Sequence, residues 1–281
     1  MSDLLPKIKE ISRLFEIVPS RSKGQNFLIN EHIYDEIVKA ADLKPTDTVL
    51  EIGPGLGFLT AKLAAKVKQV IAVELDDKLA AYLKMATDAQ AVNNITIINE
   101  DILRANLKPY LSGPYKIVAN LPYNITSIFL RHFLTSAAKP ELMVLMLQKE
   151  VAERIVATPP DRSILAVSVQ YYGAPEIIRE VKAGNFWPAP EVDSAIIKIV
   201  IPPLPRMAGA AAEKRFFQLV KIGFSAKRKM LKNNLAAGLK ISPSLVEKSI
   251  AASALNPKIR AEDLSLDDWQ KLFDSLSPFV L

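Results

Sequence analysis

The sequence predicts an α/β protein with a mostly parallel sheet, followed by a smaller all-helical domain. Three observations carry this prediction. Short β-rich runs alternate with helical patterns over the first two hundred residues. A glycine-rich turn follows the first strong run. A proline cluster then separates this region from a segment whose apolar periodicity is helical throughout.

The N-terminal stretch sets Lys7, Lys9, Glu10 and Arg13 against Leu4, Leu5, Ile8, Ile11 and Leu14, the pattern of an amphipathic helix and not of a signal peptide. Strands are expected over 48–52, 70–74, 95–98, 116–119, 143–147, 165–171 and 195–201, with helices over 56–67 and 77–87 between them. Seven runs, separated by helical crossovers, predict a seven-stranded sheet covered on both faces. Ile201-Pro202-Pro203-Leu204-Pro205 ends regular structure, because proline removes a donor and fixes φ. The expected domains are therefore 1–204 and 205–281. Beyond the prolines, helical spacing relates Phe216, Phe217, Val220 and Phe224, then Leu231, Leu235 and Leu239, then Leu245 and Ile250.

Composition narrows the function. The chain has no cysteine, which excludes a disulfide, a thiolate nucleophile and a Cys-ligated metal, and its two histidines, His32 and His132, are far apart. No resident metal is expected. No apolar run approaches the roughly 20 residues that span a bilayer, so a cytoplasmic protein without membrane contact is expected. The net charge of +6 is unevenly placed: residues 1–204 hold 23 basic and 23 acidic side chains, whereas residues 206–260 hold 12 basic and only two acidic, Glu213 and Glu247. Such asymmetry suits a polyanion-binding surface.

Val49-Leu50-Glu51-Ile52-Gly53-Pro54-Gly55-Leu56-Gly57 is a strand breaking into a glycine turn before a helix, the place where open α/β sheets bind ligands. The Gly-x-Gly-x-Gly spacing, with Pro54 where a pyrophosphate-binding turn would need an N–H, argues against a nicotinamide site. Glu74 ends the next strand and can accept two ribose hydroxyls. Asp101 follows the third and can accept an adenine amino group. Asn120-Leu121-Pro122-Tyr123 follows the fourth. An exocyclic adenine amine is a poor nucleophile because its lone pair is delocalised, so it needs positioning more than it needs a base. The Asn120 side-chain oxygen and the Leu121 carbonyl can each accept one of its N–H groups. Pro122 keeps Leu121 out of the helical region, and Tyr123 offers a face for a base, a contact worth about 1–3 kcal/mol. In this order, glycine loop, Glu74, Asp101 and Asn120 form the arrangement of a class I S-adenosylmethionine methyltransferase, a Rossmann-like fold.

These residues resemble the ribosomal RNA adenine dimethyltransferase family, in its bacterial small-subunit (16S) branch, over nearly the whole chain. Gly24-Gln25-Asn26-Phe27-Leu28 is similar to the family's N-terminal cofactor motif, and the resemblance implies that Asn26 and Leu28 contact S-adenosylmethionine. It implies the same for Gly53, Glu74, Leu75, Asp101, Ile102 and Asn120. Met146-Leu147-Gln148-Lys149-Glu150-Val151-Ala152 is similar to the segment after the fifth strand. Phe186-Trp187-Pro188-Ala189-Pro190-Glu191-Val192-Asp193-Ser194 resembles the family's Phe-x-Pro-x-Pro-x-Val-Asp-Ser loop. Phe186 can close on the second face of a base stacked on Tyr123, or pack as a core aromatic beneath the loop. Phe224-Ser225-Ala226-Lys227-Arg228-Lys229-Met230-Leu231-Lys232 is similar to the family's basic helix, which implies rRNA contacts at Lys227, Arg228, Lys229 and Lys232.

The chain departs from the family in carrying Arg162-Ser163 where a Tyr-Gly pair usually precedes the sixth strand, and Gly24 directly after Lys23. The expected activity is dimethylation of adenines, two adjacent ones near the 3′ end of small-subunit rRNA, by a monomer acting on an assembling subunit. The alternatives are a large-subunit rRNA adenine methyltransferase of the macrolide-resistance type and a mainly non-catalytic ribosome-assembly factor.

Overall fold

The computed structural model describes residues 3–20, 24–203 and 209–280. The chain divides into two compact units, Met1–Ala152 with Ala174–Ile201, and Glu153–Gly173 with Pro202–Leu281. The expected boundary at 204/205 lies outside the described residues. The 153–173 segment belongs with the helical unit, so the chain passes between the units three times.

The first unit opens with α1 (Leu5–Leu14), the expected amphipathic helix, which buries Ile8 and Ile11. The two-residue strand β1 (Phe27–Leu28) and α2 (Glu31–Ala40) follow. The sheet then builds through β2 (Thr48–Ile52), α3 (Phe58–Ala64), β3 (Gln69–Glu74), α4 (Asp77–Ala89), β4 (Ile95–Asn99), β5 (Lys116–Asn120), α5 (Thr126–Leu134) and β6 (Leu142–Gln148). Helix α6 (Lys149–Val156) leads out to α7 (Ile164–Tyr172), and β7 (Ala174–Val181), β8 (Phe186–Trp187) and β9 (Ser194–Val200) complete the unit.

Seven strands form one sheet in the order β4-β3-β2-β5-β6-β9-β7. The pairs among β2, β3, β4, β5 and β6 are parallel, whereas β9 runs antiparallel to both β6 and β7. From β2 the chain winds outward to β4 and then returns to β5 on the other side of β2. That reversal opens a crevice at the carboxyl ends of β2 and β5. Register aligns the functional residues on this edge: Ile52 pairs with both Val73 and Ala119, and Glu74 pairs with Asn99. The central strands are buried on both faces, which is why 49–52 and 142–147 read as apolar runs without alternation.

One expected strand is a helix. Residues 165–171 form most of α7, whose start is capped by Ser163 Oγ accepting from the Ala166 N–H at 3.2 Å. The Arg162-Ser163 departure therefore lies at a helix N-terminus, where Ser is the favoured cap. The sheet recovers its seventh strand from β7, which carries Pro175 and forms an edge of the sheet, where a missing donor costs no ladder bond.

The second unit adds α8 (Ala210–Gly223), α9 (Leu231–Leu239), α10 (Pro243–Ala252) and α11 (Leu266–Leu276) to α7. Its core is aromatic. Tyr171 stacks on Phe216 with centroids 5.0 Å apart, and Phe224 stacks on the fully buried Trp269 at 5.8 Å. Among the described residues no helix is long and apolar enough to cross a membrane.

Candidate active site

The glycine loop leaves β2 with Gly53, Gly55 and Gly57 all at positive φ, between 57° and 79°, which side-chain-bearing residues rarely adopt. Its position is fixed by the Gly53 N–H donating to the Val73 carbonyl at 2.9 Å and the Gly55 N–H donating to Glu74 Oε2 at 3.1 Å. Glu74 Oε1 accepts from the Asp76 N–H at 2.9 Å. Backbone N–H groups on both sides of the carboxylate thus orient it at the cleft. Burial raises the Glu74 pKa, against the lowering effect of those N–H donors.

One cleft is lined by Asn26, Leu28, Gly53, Glu74, Leu75, Asp101, Ile102 and Asn120. All eight residues expected to bind cofactor are therefore brought together. They divide by chemistry: Leu75 is 58% exposed at the lip, Ile102 and Leu28 are buried, and Asp101 is half-exposed. Asp101 Oδ1 accepts from the Leu103 N–H at 3.0 Å, which holds its carboxylate at the cleft. A diol-accepting carboxylate, an apolar lip and floor, and a second acid beyond them fit the ribose and adenine of S-adenosylmethionine.

The N-terminal motif lines this cleft from Gly24 to Leu28. Gln25 Nε2 donates to Asp76 Oδ2 at 3.2 Å, and a Cβ on Gly24, whose φ is +64°, would lie 3.2 Å from Pro122 Cβ. The glycine after Lys23 is what lets the chain pass against the Asn120–Tyr123 turn; Lys23 itself lies outside the described residues.

Asn120 ends β5, and its Nδ2 points at the Asn26 carbonyl at 3.5 Å. The buried Leu121 donates its N–H to the Met146 carbonyl at 3.0 Å. Tyr123 begins a short 3-10 turn, half-buried, and its hydroxyl shares a 2.7 Å hydrogen bond with Ser194 Oγ. Burial raises its pKa, partly offset by that bond. Phe186 has the second of its two expected placements. It is 3% exposed, paired with Leu28 in the β1–β8 ribbon and packed in the core cluster with Tyr34 and Ile196. Its ring is packed in the core, the placement of an aromatic beneath the loop.

Two contributors were not singled out by the sequence. Ser194 ends the proline loop that begins at Phe186, but nothing local pairs it with Tyr123, 71 residues away. Glu51 also lines the cleft, at 1% exposure, and its Oε2 has no hydrogen-bond partner among the described residues. Burial pushes its carboxyl up to about 8; nearby Thr60 lowers it, though its Oγ1 is itself unpartnered, and Glu74 raises it further. A lone acid among apolar residues on β2 was the available signal.

In the second unit, Lys227, Arg228 and Lys229 are exposed, but they lie in the turn between α8 and α9, not on a helix as the resemblance implied. Asn234 braces this turn, its Nδ2 donating to the Gly223 carbonyl at 2.6 Å and the Ala226 carbonyl at 3.1 Å. Lys232 is on α9, part-buried and ion-paired with Glu247. Three charges of the four are therefore presented together.

A model of the ribosomal RNA adenine dimethylase family matches residues 20–277. The chain belongs to that family. It is accordingly an rRNA adenine dimethyltransferase dependent on S-adenosylmethionine. Among its relatives, a ribosomal RNA small subunit methyltransferase A from Dehalococcoides mccartyi (strain CBDB1) is 46% identical over 96% of this chain and 92% of its own length. One of the same description from Alkaliphilus oremlandii is 37% identical over 96% of both. Similar solved structures include the 23S rRNA methyltransferase ErmE, at 28% identity and a TM-score of 0.75, covering 90% of this chain and all of that one. A dimethyladenosine transferase from Plasmodium falciparum is 26% identical with a TM-score of 0.76, covering 90% and 98%.

Proposed function

We propose that this family member dimethylates two adjacent adenines near the 3′ end of small-subunit rRNA, as a monomer acting on an assembling subunit in the cytoplasm. The observation that carries the choice of subunit is the 46% identity, over 96% of this chain, to a small-subunit methyltransferase, against 28% to a large-subunit one.

The residues divide the work. Glu74 would hold the ribose hydroxyls of S-adenosylmethionine, Leu75 and Ile102 would sandwich its adenine, and Asp101 would accept the adenine amino group. Asn26, Leu28 and Gly53 would line the remainder. When bound, the cofactor supplies an electrophilic methyl group. Asn120 and the Leu121 carbonyl accept the two N–H groups of the target amine and turn its lone pair toward the cleft. The Asn120 amide nitrogen already points to the Asn26 carbonyl, which leaves its oxygen for the substrate. Tyr123 stacks on the extruded base, with Phe186 as packing support. Once alkylated, the nitrogen is acidic enough to lose its proton to water, so no general base is assigned. Lys227, Arg228 and Lys229, with Lys232 beside them, bind rRNA phosphates.

Mass-spectrometric mapping of methylated adenines tests this reading, using unmethylated small subunits and naked large-subunit rRNA with labelled cofactor. Two dimethylated adenines in the small subunit are expected. Methylation of the large-subunit RNA alone would overturn the assignment.

A further inference from the structure

We propose that Ser194 is a positioning residue for methyl transfer, acting by tethering the Tyr123 hydroxyl so that the ring is set before a base arrives. The inference rests on the stacking role given to Tyr123 and adds what fixes that ring.

Tyr123 is held at both ends. At the backbone end, the Leu121 N–H is bonded to Met146 at 3.0 Å, the Ile125 N–H to the Pro122 carbonyl at 3.2 Å, and Thr126 Oγ1 donates to the Tyr123 carbonyl at 3.3 Å. At the far end, the phenol meets Ser194 Oγ at 2.7 Å. Ser194 makes a rigid anchor. It is wholly buried at the first position of β9 and lies in register with Gln148 on one side and Val181 on the other. The residue before it is also fixed: Asp193 accepts the Ala183 N–H at 3.0 Å and Lys182 Nζ at 2.8 Å, and its carbonyl accepts the Lys149 N–H at 2.9 Å.

The hydroxyl has no part in stacking, since a phenyl ring stacks as well as a phenol. What the bond to Ser194 does is stop the side chain swinging about χ1, because it pins the phenol oxygen and so fixes where the ring's long axis points. A base laid on a fixed face brings its amine to Asn120 in one orientation, whereas a base on a swinging ring must find that orientation at each encounter. The effect therefore belongs in the rate of transfer and not in the affinity for RNA or cofactor.

The test is a double-variant cycle with Tyr123→Phe, Ser194→Ala and the pair, in the full-length protein on unmethylated small subunits. Each single change is expected to lower kcat about tenfold, with KM for subunits and Kd for S-adenosylmethionine within about twofold of the parent. The pair should fall no further than either alone, because both changes remove one bond. A normal kcat for Tyr123→Phe, or a double variant whose loss is the product of the two singles, overturns the proposal. Tyr123→Phe keeps the ring and leaves β9 untouched, so it decides the question even if Ser194→Ala does not fold. Tyr123→Ala separates the two levels. Full activity in that variant removes the stacking role itself, whereas loss there beside a normal Tyr123→Phe removes only the tether.

Discussion

Glu51 is a carboxyl for which the fold provides little compensation, and its behaviour with pH follows from that. It is buried on β2 with one oxygen unpartnered and with Glu74 as a charged neighbour, and its pKa is pushed up to about 8. In the unfolded chain the group ionises near the ordinary carboxylate range. Between that range and about pH 8 the folded protein holds a proton that the unfolded chain has released, so stability falls as pH rises through this window. Glu51→Gln keeps the shape and removes the ionisation. Thermal unfolding at pH 5, 7 and 9 is expected to show the variant gaining on the parent toward high pH, by on the order of a few kcal/mol at the top of the range; parallel pH profiles would show that the carboxyl is ionised in both states. Asn120 presents the opposite case, a residue whose proposed role lies in the substrate it would orient. On the role proposed for it, Asn120→Ala removes one of two acceptors for the amine and is expected to lower kcat on the order of 100-fold or more, because orientation supplies much of the barrier reduction. Calorimetric titration should find S-adenosylmethionine affinity lowered by a smaller factor than kcat, since Asn120 is one of eight cleft residues and Glu74 and Asp101 are untouched.

The turn between α8 and α9 shows how an element can be set by contacts remote from its own residues. Gly223 ends α8 with no room for a side chain: a Cβ there would lie 2.4 Å from Trp269 Cη2 and 3.0 Å from Leu231 Cδ1. Trp269 is fully buried and cannot retreat. Gly223→Ala is therefore expected to destabilise the helical unit by about 1–3 kcal/mol, read as a lowered unfolding midpoint, and to weaken RNA binding by displacing the Lys227–Lys229 turn. An unchanged midpoint would show that the helices can move apart at no cost. The same turn marks a limit of sequence reading. The positive charges were legible, because they follow from composition, but Asn234 donating to two carbonyls eight and eleven residues earlier has no local signature. Residues 165–171 misled for a different reason. Leu165, Val167, Val169 and Tyr171 alternate with Ala166, Ser168 and Gln170 as a strand would, and the Ser163 cap at the helix start is what that period left out. β7 was hidden by Pro175 and by charges on a largely exposed edge strand. Most of the eight residues expected at the cleft were legible because they sit at or just beyond a strand end, where local sequence and topology coincide, whereas Glu51 lies within β2 and was missed. Phe186 and Ser194 were less legible, as their roles depend on pairing across the fold.

At the scale of the whole molecule, charge and chemistry are carried by separate parts of the chain. The first 204 residues are electrically balanced and contain every residue of the cofactor cleft, while residues 206–260 carry ten more positive than negative charges. Binding to RNA should then be governed by counterion release at the basic unit, and methyl transfer by the geometry of the sheet edge. Replacing Lys227, Arg228 and Lys229 together with Ala is expected to reduce the magnitude of the slope of log K against log salt by up to about 3, one for each phosphate no longer neutralised. Filter binding to small-subunit rRNA across a salt series measures that slope. Lys232 should contribute less, because Glu247 already neutralises part of its charge. Affinity for S-adenosylmethionine should not move in the triple variant, and its kcat at saturating RNA should stay near the parent value while KM rises. A slope unchanged by the three substitutions would place the phosphate-binding groups elsewhere on the basic unit. A fall in kcat at saturation would instead mean that the turn orients the RNA for reaction as well as holding it.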